Sequence, residues 1–200
     1  MKTKQTLRNV ILLSTTFATL LSSCKKEAEI RPEIKKEPDF TSSIKIGQQS
    51  IFQATGNFGN GIQTIKNFMT VKTVENSGNN IFKAQVLMPM FNVIDTMIIE
   101  VTPTGVFEQL KEGGKKLIAS KDPKIGDVSF TVSGRDTTFR KVMEIDASVT
   151  VPAGNFNCIK IKEYHSGNHD YSIECIDKGL IKVEQFGSMP IKIELSSRNY

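Results

Sequence analysis

The chain is poor in the residues on which recognisable chemistry is built. It has no tryptophan, only two histidines (His165 and His169) and three cysteines (Cys24, Cys158 and Cys175) in 200 residues. A zinc site draws three or four converging ligands from His, Cys and carboxylate side chains. His165 and His169, with Asp170 and Glu163 nearby, flank an expected turn and do not supply such a set, so no metal and no cofactor is expected. There is no G-x-S-x-G, no H-E-x-x-H, no Walker loop and no EF-hand loop. No reaction can therefore be read from a motif, and the expectation is a protein that is not an enzyme. Past the first two dozen residues there is no apolar run of the roughly 20 residues that span a bilayer. No ten-residue stretch carries a strong 3.6-residue apolar period, which argues against amphipathic helices.

The N-terminus has a clear layout. Lys2, Lys4 and Arg8 precede an apolar stretch from Val10 to Leu21, and Leu21-Ser22-Ser23-Cys24 follows. A basic segment, a short apolar segment and small residues in that order are the plan of a secretory signal peptide. The final tetrapeptide resembles the lipobox of bacterial lipoproteins. That resemblance implies removal of residues 1–23, acylation of Cys24 and attachment to the membrane through lipid. Acyl chains contribute about 0.8 kcal/mol per buried CH₂. Losing the leader's three basic residues, with no acidic one among them, lowers the formal charge from +5 to +2. With no basic cluster interleaved with aromatics, nucleic-acid binding is not expected.

Residues 24–43 comprise Cys24 and a segment dense in both charge signs, with Pro32 and Pro38. It holds too little apolar surface to offset its ordering entropy and is expected to be a disordered tether. Its first residues, Lys25-Lys26-Glu27 and Glu29, resemble the charged tags behind the lipid cysteine in exported lipoproteins of Bacteroidota. The bacterial envelope, at the outer membrane, is the expected location.

Residues 44–200 are long enough for one domain with a real core. Their apolar period is two. Met143, Ile145, Ala147, Val149 and Val151 alternate with polar residues. So do Ile191, Ile193 and Leu195, then Ile181 and Val183, and then Phe82, Ala84, Val86, Met88 and Met90. Side chains of a strand point alternately to its two faces, so these are half-buried strands. Val93 to Val101 is more evenly apolar, as in a central strand or one lining an interior. Gly- and Asn-rich turn signals separate the runs. The expected fold is all-β, an antiparallel meander curled into a barrel or half barrel.

Asp122-Pro123-Lys124-Ile125-Gly126-Asp127, then Val151-Pro152-Ala153-Gly154-Asn155-Phe156, then Gly179-Leu180-Ile181-Lys182, form a set that resembles a bacterial exported family, called TapB-like or left as domains of unknown function. Its motifs read roughly P-x-K-x-G-D, V-P-A-G-x-F and G-L-[VI]-K, and in the first of them this chain has Lys124 directly after Pro123. Where the family often has Trp after the G-D step, this chain has Val128 and Phe130. Where many relatives have an aromatic and Ala before the last motif, it has Glu174 and Cys175. The resemblance implies a curved sheet loosely similar to the half barrels of lipoprotein carriers, and no enzymatic activity.

With Cys24 acylated, Cys158 and Cys175 remain, on the two arms of an expected hairpin. A turn at Ser166-Gly167 would set them opposite each other, about 4.5 Å apart at Cα and within disulfide range. A turn at Gly167-Asn168 would make them a diagonal pair, about 7 Å apart. A bridge and two packed thiols both fit the sequence. A Cys/His nucleophilic pair does not, since Cys158 and His165 lie about 23 Å apart along one strand. Met88, Met90, Met97, Ile99 and Met143 either fill the core or line a cavity for an apolar ligand. The function expected is a membrane-anchored binding or interaction module of the envelope, its partner an envelope protein or an apolar ligand. The alternatives are a carrier or chaperone of an apolar ligand through a hollow half barrel and, second, an enzyme of unrecognised type. A hollow interior of several hundred Å³ would favour the carrier.

Overall fold

The computed structural model describes residues 44–134, 136–167 and 169–199. The expected signal peptide, Cys24 and the expected tether through residue 43 lie outside the described residues. Twelve strands follow in chain order: β1 (Gln49–Asn57), β2 (Ile62–Asn76), β3 (Ile81–Met88), β4 (Val93–Thr102), β5 (Gly105–Gln109), β6 (Lys115–Ser120), β7 (Val128–Ser133), β8 (Asp136–Val151), β9 (Gly154–His165), β10 (Tyr171–Asp177), β11 (Gly179–Phe186) and β12 (Ile191–Arg198). A single 3₁₀ turn, Pro89–Phe91, joins β3 to β4.

All twelve form one antiparallel sheet in the order β6-β5-β4-β3-β2-β1-β12-β11-β10-β9-β8-β7. Neighbours in sequence pair with each other, and β1 pairs with β12, from Ser50 opposite Arg198 to Gly56 opposite Ile191. The result is a nearly closed barrel whose two free edges are β6 and β7. No backbone ladder joins those edges.

Local chemistry accounts for the turns that the family motifs marked. The Asp127 carboxylate accepts from the Lys124 N–H at 2.9 Å, and Gly126 sits at φ +94°. Gly126 N–H donates to the Val142 carbonyl and Val142 N–H to that of Asp127, both at 2.9 Å. This turn lies between the two edges and pins the start of β7 to β8. Val151 pairs with Gly154 across a two-residue turn of Pro152 and Ala153. Gly154 has φ +131°, a conformation costly for any residue with a Cβ. Phe156 packs behind it against a buried apolar cluster.

The period-two reading of β8 needs a correction. Before its middle, Arg140 and Val142 are buried. After it, Ala147, Val149 and Val151 are, while Met143 is 44% and Ile145 37% exposed. The register with β9 slips between Val142 and Glu144 and again between Glu144 and Ala147, and Asp146 has φ +58°. Bulges add residues to one strand of a pair, and a one-residue shift reverses which side chains face the core. Met143 and Ile145 fall in the bulged segment and are left outside.

Two apolar clusters result. One joins Phe82, Val101, Val106, Ala119, Ile159, Ile161 and Ile176. The other is built around Phe52, Ala147, Val149, Cys158, Ile181 and Leu195. β11 pairs with β12 only over Lys182–Gln185. Beyond that the strands separate, and the Leu195 carbonyl accepts from Ala153 N–H at 3.1 Å instead. The Arg198 side chain spans the separation, donating to the carbonyls of Leu180 at 2.9 Å and Lys178 at 3.4 Å.

Candidate functional site

The barrel is hollow over part of its length. A cavity of about 400 Å³ is lined by the inward positions of most strands, among them Phe52 on β1, Met69 on β2, Ala84 on β3, Met97 on β4, Ile118 on β6 and Ile176 on β10. These are alternate residues of strands whose other face is wet, so the period-two pattern that builds the sheet also makes the lining apolar. The exposed members of its lining are Lys178 and Gly179, which form its rim with the neighbouring Arg198 side chain.

One side of the cavity is charged. Arg140, 3% exposed, donates through Nη1 to Glu163. Through Nη2 it donates to Glu174 at 2.7 Å and to the Ile118 carbonyl at 3.1 Å. Lys116 Nζ lies 2.8 Å from the same Glu163 carboxylate. Glu108, opposite Lys116 in the β5–β6 ladder, completes the group, and Glu108, Lys116, Arg140 and Glu174 all line the cavity.

Burial and neighbouring charge act differently on each member. Burial raises the Glu108 carboxyl above its ordinary range, with Glu163 and Glu174 adding to the effect against Lys116 and Arg140. Burial also pushes Glu163 upward, but Lys116 and Arg140 outweigh it and hold that carboxyl below its ordinary range. Burial disfavours the Arg140 cation, yet Glu174 and Glu163 overcome this and hold it charged.

The residues singled out from the sequence divide. Met97 and Ile99 line the cavity. Met88 is half-buried at the end of β3 and is not part of the lining, because the chain turns away at Pro89. Met90, in the 3₁₀ turn, is 49% exposed and Met143 is exposed at the β8 bulge, so neither belongs to a ligand face. Cys158 and Cys175 are free and buried. Cys175 stands opposite Lys160 and Ile176 opposite Ile159, which is the diagonal register. Burial, with Cys175 and Asp177 adding to it, pushes the Cys158 thiol up to about 12, and burial raises that of Cys175 as well. His165 is exposed and meets Thr138 Oγ1 at 3.1 Å. Among the described residues no three His, Cys, Asp or Glu side chains converge as a metal-ligand set.

The charged group was absent from the sequence expectations, yet a signal for it exists. Glu108 shares the parity of Val106, Lys116 that of Ile118, Arg140 that of Val142, Glu163 that of Ile161 and Glu174 that of Ile176. Each is a charge standing in the apolar register of its own strand. Five such misfits can compensate one another only if the fold brings them together.

No family model, no curated protein and no solved structure matches the chain. The residues that carry the likeness to the exported family take structural positions. Two of its motifs form the Lys124–Asp127 and Pro152–Gly154 turns. The third begins at Gly179, at φ +120°, beside the Arg198 guanidinium on the cavity rim.

Proposed function

We propose that the protein carries an apolar ligand in its barrel cavity while anchored to an envelope membrane through Cys24. The observation that supports this reading is the cavity itself. About 400 Å³ falls in the range of small-molecule sites, which are concave, mostly apolar and furnished with a few polar groups. The cavity lies among buried residues of both apolar clusters and reaches the exposed Lys178 and Gly179. Glu163 and Glu174 are tied to Arg140 and Lys116, and burial holds the thiols in their protonated form, which suits a binding site.

The test is native mass spectrometry of the domain from its own host, with N-phenyl-1-naphthylamine fluorescence as a second measurement. A co-purifying apolar molecule, displaced by that dye, is the expected result. A domain that carries nothing and leaves the dye in water would refute the carrier. Docking to an envelope protein is a second reading. It is favoured by the edge strand β7, where Val128, Phe130 and Val132 are all more than half exposed.

A further inference from the structure

The charged side of the cavity contains two polar groups without partners. The Arg140 Nε–H is buried and donates to nothing, although Nη1 and Nη2 of the same side chain are engaged by Glu163, Glu174 and the Ile118 carbonyl. No hydrogen bond reaches the Glu108 carboxyl among the described residues. Its register neighbour Lys116 directs its ammonium to Glu163. An unmatched buried donor is costly, and so is a carboxylate in an apolar wall without donors. Arg140 and Glu108 both line the same cavity.

The charges are also unequal. Glu108, Glu163 and Glu174 stand against Arg140 and Lys116. The group therefore carries one negative charge in excess when Glu108 is ionised, and both cations are already paired.

We propose that this side of the cavity binds the hydroxyl group of a neutral, otherwise apolar ligand. The proposal rests on the carrier reading and names the ligand class for it. A hydroxyl both accepts and donates, so it can take the Nε–H and give its own proton to Glu108. A carboxylate head group would accept the Nε–H but has no proton to give Glu108, and it would set a second negative charge beside that carboxylate. An ammonium has donors only and leaves Nε–H unmatched. An ether lacks the donor that Glu108 requires, and a bare hydrocarbon leaves both groups unmatched. The rim does not compete for this role. Arg198 already donates from Nε to Ser50 Oγ at 3.0 Å, and from Nη1 and Nη2 to the Lys178 and Leu180 carbonyls.

The experiment is displacement of N-phenyl-1-naphthylamine from the chain by dodecanol, dodecyl methyl ether and dodecanoate, in the wild type, Glu108→Leu and Glu108→Gln. Dodecanol should bind the wild type about tenfold more tightly than the ether, the worth of one hydrogen bond to a charged group. Glu108→Leu should lose that preference, so that dodecanol and the ether displace the dye from this variant equally well. Glu108→Gln, which keeps an acceptor and removes the charge, should keep the preference and bind dodecanoate more tightly than the wild type does. Dodecanoate binding the wild type as well as dodecanol does, or a preference for dodecanol that survives Glu108→Leu, overturns the hydroxyl assignment and leaves the carrier standing. A wild-type chain that binds no dye overturns the carrier and this assignment with it.

Discussion

The Arg140 guanidinium on β8 donates to the main-chain carbonyl of Ile118 on β6, 3.1 Å away, across the gap between the β6 and β7 edges. Lys116 on β6 crosses the same gap to Glu163 on β9. Ser133, at the end of β7, reaches Glu112 in the β5–β6 loop at 3.0 Å. The barrel is thus closed at this seam by side chains rather than by a backbone ladder, and the buried ion pairs do the larger share of it. Removing one partner of a buried charge network leaves the others uncompensated, a loss of about 3–5 kcal/mol. Arg140→Ala should cost about that much in urea denaturation, whereas Ser133→Ala, at an exposed contact, should cost under about 1 kcal/mol. Equal and small effects of the two variants would show that the seam does not depend on the buried charges.

The two carboxyls beside Arg140 should give opposite pH signatures. Glu163 is held below its ordinary 4.5 in the folded chain. Its contribution to stability is therefore present above that value and lost as the pH falls through the folded one. Glu108 is raised, so its contribution is present below 4.5 and lost as the pH rises through its folded value. Glu108→Gln should therefore be more stable than the wild type at neutral pH, with the advantage gone in acid below the ordinary carboxylate range. Melting curves across pH check this, and a Glu108→Gln variant that is stabilised most in acid contradicts it.

Filling the cavity should separate folding from binding. Ala84 lines it and is almost fully buried. Ala84→Phe places a ring in space that a packed core would not offer, where overpacking costs about 1–3 kcal/mol. Here the variant should melt near the wild-type temperature and take up little N-phenyl-1-naphthylamine. A large loss of stability with dye binding intact would be the opposite outcome.

The thiols should be silent in the native state. Cys158 and Cys175 are buried, and their thiolates are disfavoured; the thiolate is the reactive form. Iodoacetamide should label both residues only after unfolding, and a reductant should leave the melting temperature unchanged. A lowered melting temperature on reduction would reveal a bridge, which the diagonal register allows only with backbone movement.

Anchoring is tested apart from the barrel. Cys24→Ala should move the chain out of the membrane fraction and abolish incorporation of labelled palmitate. Equal labelling of the variant and the wild type would remove Cys24 as the attachment point.

The all-β fold was legible in the amino-acid sequence because strand alternation is local. Ile159 and Ile161, or Ile193 and Leu195, declare an inward face through their spacing alone, and the Gly and Pro positions declare where each strand must end. What the strand pattern could not convey is how distant strands meet. The pairing of β1 with β12 and the open seam between β6 and β7 depend on curvature summed over twelve strands. The β8 bulges reverse parity at Met143 and Ile145, although the sequence alternates straight through them. The register that makes Cys158 and Cys175 diagonal rests on the strand ladder, since the sequence allowed either turn. Above all, Glu108, Lys116, Arg140, Glu163 and Glu174 lie on five strands spread over 67 positions. Each alone is a charge in an apolar register, an unfavourable placement that no local rule explains. Only closure of the sheet brings Arg140 and Lys116 within hydrogen-bonding distance of Glu163 and Glu174, with Glu108 beside them, and that turns five local misfits into one side of a cavity.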